Sequence, residues 1–224
     1  MRKVYDIVVI GGGIIGSSIS YNLVNDGFDG RILVIEKDPS YEFASTTLSA
    51  GGVREQFSLP ENIKISQYGL NIFENFDELM EVDGDEAHAE FKPRGYLFLA
   101  SEKNWPMIKK NYEIQKALGA DVSLLSIDDL KRLFPHLKTE NLAGGSFGSR
   151  AGYLDPYGVL QGYIKKGKKL GVEYLHEEVT GIEVKRKKIE GVTTDKGKHI
   201  RCGVVVNVAG PYASVVGKMA GIDL

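Results

Sequence analysis

The sequence predicts an α/β fold in which a largely parallel sheet is flanked by helices and interrupted by an inserted α+β lobe. Three observations carry the prediction. A short apolar run at 4–10 ends in the cluster Gly11-Gly12-Gly13-Ile14-Ile15-Gly16. A helical stretch to about Asp26 follows, then a second apolar run, "RILVI", that terminates in Glu36. Near the far end, "GVVVNVAGPYAS" (203–214) adds another such run closed by a small-residue turn.

The first run is rich in β-branched residues with few polar breaks, the pattern of a strand buried on both faces in a parallel sheet. In the following helix Ile15, Ile19 and Leu23 stand four apart on one face, and Gly27 and Gly30 end it. Gly11 permits a tight strand-to-helix turn. Gly13 lets a pyrophosphate approach bare main chain, and Gly16 lets the helix sit close to the strand. The helix N-terminus offers free N–H groups and a positive dipole end to phosphates. Glu36 lies 20 residues beyond Gly16, where a carboxylate accepts hydrogen bonds from a ribose diol and repels a 2′-phosphate. The whole unit predicts a dinucleotide site. By itself it suits a nicotinamide or a flavin.

Further along, Ser58 suits a helix cap, Pro60 a first turn and Glu61 a capping box. Leu70, Phe73, Asp77 and Met80 then step along one side of the predicted helix. "VDGDE" (82–86) marks an exposed turn. Strands are expected at 95–100, 172–175, 179–184, 189–194 and 199–201, with a hairpin turn near Arg186–Lys188. Helices are expected at 102–118 and 156–170, with a short one opening at Ser126. Residues 144–154 predict a strand or hairpin. The implied organisation is a cofactor domain at 1–86 and 155–224, with a partial substrate lobe inserted at 87–154.

Composition narrows the function. The 224 residues are 42% hydrophobic and 26% charged, with formal net charge −2 and pI near 6.1. This gives no electrostatic case for nucleic acid or an anionic membrane. Cys202 is the only cysteine, so no intrachain disulfide forms and no cysteine-based metal site exists. A cytoplasmic location fits that usage. No run reaches the ~18 apolar residues of a membrane span, and the N-terminus lacks a signal-peptide pattern. No GxSxG elbow, P-loop or HExxH motif argues for hydrolysis or phosphoryl transfer.

Taken together, "DIVVIGGGIIGSSISYNL", "VIEKD", "STTLSAGGVREQFSLPENIKIS", "GYLDPYGVLQGY", "EVTGIEV" and "VVVNVAGPYAS" resemble the D-amino-acid oxidase superfamily of FAD-dependent oxidoreductases. Within it, the likeness is to sarcosine oxidase, glycine oxidase and the β-subunit of dye-linked proline dehydrogenase. The resemblance implies a Rossmann-like FAD-binding domain with a β-hairpin crossover, and FAD as cofactor. It implies that Gly11, Gly13, Ile14, Ile15 and Gly16 lie along the pyrophosphate, with Glu36 on the adenosine ribose and Lys37 beside it. Ser45, Thr46, Ser49, Ala50, Gly51 and Gly52 would line the flavin-side loop. Val179 would meet the adenine through its backbone, and Asn207, Ala209 and Gly210 would form the turn after the late strand. Arg54 is a candidate to bind a substrate carboxylate or face the flavin ring, against the plainer reading of a surface or helix-cap salt bridge.

The implied chemistry is hydride transfer from the carbon beside an amine of a small or secondary amino acid. No catalytic residue is assigned. Family members run on for about a further domain, and three explanations fit equally: a second chain that completes the lobe, a fragment of a longer protein, or a shortened relic; a homo-oligomer also fits. The first motif alone also suits an NAD-dependent dehydrogenase. An incomplete substrate lobe also suits a non-catalytic flavin-binding or assembly protein.

Overall fold

The computed structural model describes residues 4–223. Along the chain run β1 (Val4–Ile10), α1 (Ile14–Asn25), β2 (Ile32–Glu36), β3 (Gly52–Val53), α2 (Pro60–Phe73), α3 (Phe76–Leu79) and β4 (Tyr96–Ala100). There follow α4 (Trp105–Ala117), β5 (Val122–Leu125), α5 (Ile127–Leu133), β6 (Gly144–Gly148), β7 (Gly152–Tyr153) and α6 (Pro156–Lys169). The last elements are β8 (Glu173–His176), β9 (Val179–Lys185), β10 (Lys188–Thr194), β11 (His199–Asn207), a 3-10 turn (Gly210–Tyr212) and α7 (Ala213–Met219).

Two compact units result. Among the described residues one comprises 4–49, 80–88 and 156–223, the other 50–79 and 89–155. Residues 50–79, assigned from sequence to the cofactor domain, therefore group with the second unit, and "VDGDE" stays with the first. Two ion pairs and a hydrogen bond fasten that turn and its neighbours within the first unit: Lys165 to Asp85 (2.7 Å), Lys169 to Asp83 (2.6 Å), and the Lys166 ammonium donating to the Glu81 carbonyl (2.8 Å).

The first unit is built on a six-stranded sheet of order β8-β2-β1-β11-β10-β9. The first four strands are parallel and the last two join antiparallel as a hairpin. Alternate residues of β1 and β2 face opposite layers, and both layers are apolar. Val8, Ile10, Leu33 and Ile35 pack with Val179, Val192 and Val216 on one side. Val9, Ile32 and Val34 pack with Leu23 and Val24 on the other. Burial on both faces is why these strands read as continuous hydrophobic runs.

Helix α1 departs from expectation. Ile15 is exposed, and the buried face is Gly16, Ser17, Ser20 and Tyr21. The two serine hydroxyls donate to the carbonyls of Gly12 and Gly16, both at 2.8 Å, so no polar group is stranded. The helix packs against α6, whose Gly158 and Gly162 are also buried, and Tyr21 meets Tyr163 at 5.5 Å between ring centroids. Small residues bring the helix axes close together, and close packing selects them over larger apolar ones.

The second unit holds a three-stranded antiparallel sheet, β4-β6-β5, and a short pair, β3-β7. Ile63, Ala120 and Val122 form a core with Phe57, Tyr112, Ile114 and Leu118. Residues 144–154 form two strands in different sheets rather than one hairpin. The expected capping box at Ser58 is absent: the cap position is Leu59, without a side-chain cap, although Pro60 does open the helix. The helix also breaks after Phe73. Arg150 binds Glu74 and Asn71 there, and Asp77 accepts the Ala89 amide (2.6 Å) instead of continuing the helical face. Ser126 with Asp129 does form a capping box. Strand β5 and helix α7 were not anticipated, and 199–207 is one continuous strand.

Glu177 anchors the hairpin end of the first unit. Burial works to raise its pKa, but hydrogen bonds from the Lys198 ammonium and the Thr194 hydroxyl (2.7 Å), with the field of Lys196, hold it below the usual range. A lowered native pKa stabilises the fold above the ordinary carboxylate range, and that stability is lost as pH falls through the native value. We therefore expect Lys198→Met to lose about 1–3 kcal/mol at pH 7. The deficit should shrink below about pH 4, as Glu177 becomes protonated in both folded and unfolded chains. Urea denaturation at the two pH values measures it.

Candidate cofactor site

The site begins where β2, β1 and β11 end side by side. Ile10 lies opposite Ile35 on one flank and opposite Asn207 on the other. The chain leaves β1 through Gly11, whose amide donates to the Ile35 carbonyl (2.9 Å) and whose φ is +106°. A side chain there would strike the Val208 carbonyl, and one at Gly16 would strike the carbonyl of Gly11. Helix α1 thus rests on the main chain of its own loop.

Gly12 and Gly13 differ instructively. A Cβ on Gly12 would lie 3.0 Å from both Glu36 Cβ and the Tyr41 hydroxyl. A Cβ on Gly13 would meet only the Thr46 hydroxyl, at an ordinary 3.4 Å. Packing therefore crowds position 12 and leaves position 13 bare beside the helix N-terminus. A bare backbone there, with N–H groups and the dipole behind it, is the cradle a diphosphate requires.

Glu36 is turned toward this loop. One carboxylate oxygen accepts the Gly12 amide (2.7 Å) and the other the Asp38 amide (2.9 Å). Both oxygens keep further acceptor capacity, which suits a ribose diol. The residues present fit a dinucleotide in each part so far described.

The remaining predicted residues fall as follows. Ile14 gives its amide to the Thr46 hydroxyl (3.1 Å), Thr46 is buried, and Ile15 and Lys37 are exposed. Ser45 and Ser49 are exposed on the first unit, while Ala50, Gly51 and Gly52 belong to the second, with Gly51 at φ +66°. Val179 opens β9 and is buried in the sheet core. Asn207 braces its own turn: its amide nitrogen donates to the Ala213 carbonyl (2.8 Å) and its oxygen accepts the Ala209 amide (3.3 Å). Gly210 follows at φ +55°.

In the second unit the Arg54 guanidinium lies 5.0, 5.2 and 4.9 Å from the ring centroids of Phe57, Tyr96 and Phe98. Its Nε is buried without a hydrogen-bond partner among the described residues. The ring frame replaces the salt bridge that sequence alone left open.

Two residues escaped the sequence reading. Gly12 was signalled only by filling a position the motif leaves free. Tyr41 sits at φ +57°, packed with Leu160 and Ile164. Burial, and next the charge of Glu36, raise its phenol pKa well above the usual range. Among the described residues no cluster of His, Cys, Asp or Glu is placed to hold a metal, and no helix is long and apolar enough to cross a membrane.

Fold and site together define a flavin-type dinucleotide-binding α/β protein. Residues 6–224 match the DAO family, described as FAD dependent oxidoreductase, and the chain belongs to it. FAD is accordingly its cofactor. Among curated relatives, FAD-dependent oxidoreductase domain-containing protein 1 of Xenopus laevis is 37% identical, covering 97% of this chain and 48% of its own length. Human mitochondrial sarcosine dehydrogenase is 29% identical over 98% of this chain and 24% of its own length. Among solved structures, L-proline dehydrogenase from P. horikoshii superposes with a TM-score of 0.87 at 30% identity, over 99% of this chain and 57% of that one. The chain spans about half the length of the FAD-dependent oxidoreductase domain-containing relatives.

The contrast between the two loop glycines is testable. Gly13→Ala should keep its melting transition within about 0.5 kcal/mol of the parent while FAD affinity falls by about tenfold or more. Gly12→Ala should lose about 1–3 kcal/mol of stability through overpacking against Glu36 and Tyr41. Thermal denaturation without cofactor and titration of flavin fluorescence separate the two effects.

Proposed function

We propose that this chain forms the FAD-binding part of an enzyme that oxidises the C–N bond of a small secondary amino acid. The observation that carries the reading is the bare main chain at Gly13, in a loop whose Gly12 amide binds the Glu36 carboxylate, in a chain whose relatives include proteins named for sarcosine and for L-proline. Both of those molecules are secondary amines bearing a carboxylate.

When bound, the flavin supplies a two-electron acceptor that takes hydride from the carbon beside the nitrogen, leaving an imine for water to hydrolyse. The chain's residues position rather than react. The glycine loop and the first turn of α1 hold the diphosphate, and Glu36 holds the ribose. Arg54 is the substrate-facing candidate: a cation framed by three rings, with an unspent N–H, suits a carboxylate. The amine sheds its proton before reaction, so no side chain need act as base. Because the chain spans about half of its FAD-dependent oxidoreductase domain-containing relatives, the complete activity is assigned to this chain together with further polypeptide.

Anaerobic mixing tests the proposal. Sarcosine or L-proline should bleach the flavin band near ~450 nm in the FAD-loaded protein, supplied with any polypeptide that completes it. Arg54→Lys should raise the concentration needed for half-maximal bleaching by about 10- to 100-fold, the worth of a charge-assisted hydrogen bond. Flavin that stays oxidised with every amine offered would sink the enzyme reading and leave a flavin-binding protein.

A further inference from the structure

We propose that Lys37 and Tyr212 form a clasp across the adenosine end of the cofactor crevice, and that its opening gates FAD entry and release. The inference rests on the FAD site described above. In a parallel α/β sheet the ligand crevice opens at the carboxyl ends of the strands, where strand order reverses. Here the chain passes from β1 to β2 on one side, and β11 lies on the other. Lys37 directly follows β2, and Tyr212 ends the 3-10 turn after β11. Between them lie the end of β1 and the glycine loop.

Two strand spacings, about 10 Å, separate the two sides. The two side chains bridge that gap, with the Lys37 ammonium 3.6 Å from the centroid of the Tyr212 ring. Both residues are exposed, so core packing does not hold them in contact. Both bases are braced. The Glu36 carboxylate ties Gly12 and Asp38 on one side. On the other, Asn207 binds Ala213, and the Tyr212 amide donates to the Ala209 carbonyl (3.0 Å). A weak contact between two rigid bases opens by side-chain rotation alone, which is what a gate needs. Glu36, the residue that would hold the ribose, immediately precedes Lys37 in the chain.

The test uses the whole chain stripped of flavin, with FAD uptake followed by flavin fluorescence in a stopped-flow instrument and release followed on dilution. Tyr212→Leu and Lys37→Met should each speed uptake and release together by about 2- to 5-fold, the factor an exposed cation–π pair is worth. The dissociation constant should move less than either rate. The double variant should be no faster than either single, because one contact is removed once. Tyr212→Phe, which keeps the ring, should show parental rates. Unchanged rates in both single variants, or effects that multiply in the double, would overturn the clasp. So would a rise confined to release with a matching loss of affinity, which marks a simple affinity contact. Tyr212→Ser, a second change at the same exposed position, carries the test if Tyr212→Leu fails to fold. A parent that takes up no FAD would overturn the cofactor site itself.

Discussion

The constraint on which the first unit depends is the absence of side chains between α1 and the loop that leads into it. Gly16 lies against the Gly11 carbonyl and Gly11 against that of Val208, so at these two points helix, loop and the turn after β11 approach main chain to main chain. That contact fixes the helix over the strand ends and aims its free N–H groups at the crevice. It also fixes what packs behind. A helix seated so low presents Ser17, Ser20 and Tyr21 inward, and α6 must answer with Gly158 and Gly162. A larger residue at any of these points lifts α1 and opens the cradle with it.

The same geometry explains what sequence could and could not reveal. The parallel strands were legible because burial on both faces leaves an uninterrupted apolar run. The hairpin at Arg186–Lys188 was legible because its turn is short and polar, and Arg186 and Lys187 do adopt positive φ there. The buried face of α1 was not legible. Periodicity weighs large apolar residues, and here small ones do the packing while Ile15 faces outward. The break after Phe73 was hidden for a different reason. It depends on Arg150 and on the Ala89 amide, partners distant in sequence. The unit boundary at 49/50 was invisible because residues 44–52 read as one stretch of small residues, whichever body each half joins.

Within the site, motif residues were legible by role and not by reason. Gly13 has open space beside it, whereas Gly12 is crowded by Glu36 and Tyr41. Only coordinates separate these two meanings of the same residue type. Asn207, expected along the cofactor turn, spends its side chain on the turn itself. Its part is to hold Ala209 and Gly210 in shape. A side chain two bonds removed from a ligand can matter as much as one touching it, through the conformation it enforces.

The site reads its anion with dipoles in place of opposed charges. The chain carries a formal net charge of −2, and the side chain nearest the predicted ribose is itself a carboxylate. Attraction for the diphosphate must then come from oriented main-chain N–H groups and the end of α1, whose reach falls off within a turn. Such a field is short-ranged and is screened little by salt when water is displaced. It discriminates by shape more than by charge. Glu36 adds the complementary selection, because its ionised oxygens accept hydroxyl protons and repel a phosphate at the same position. A site built this way favours a dinucleotide with a free ribose diol, as FAD has, over one that carries a 2′-phosphate.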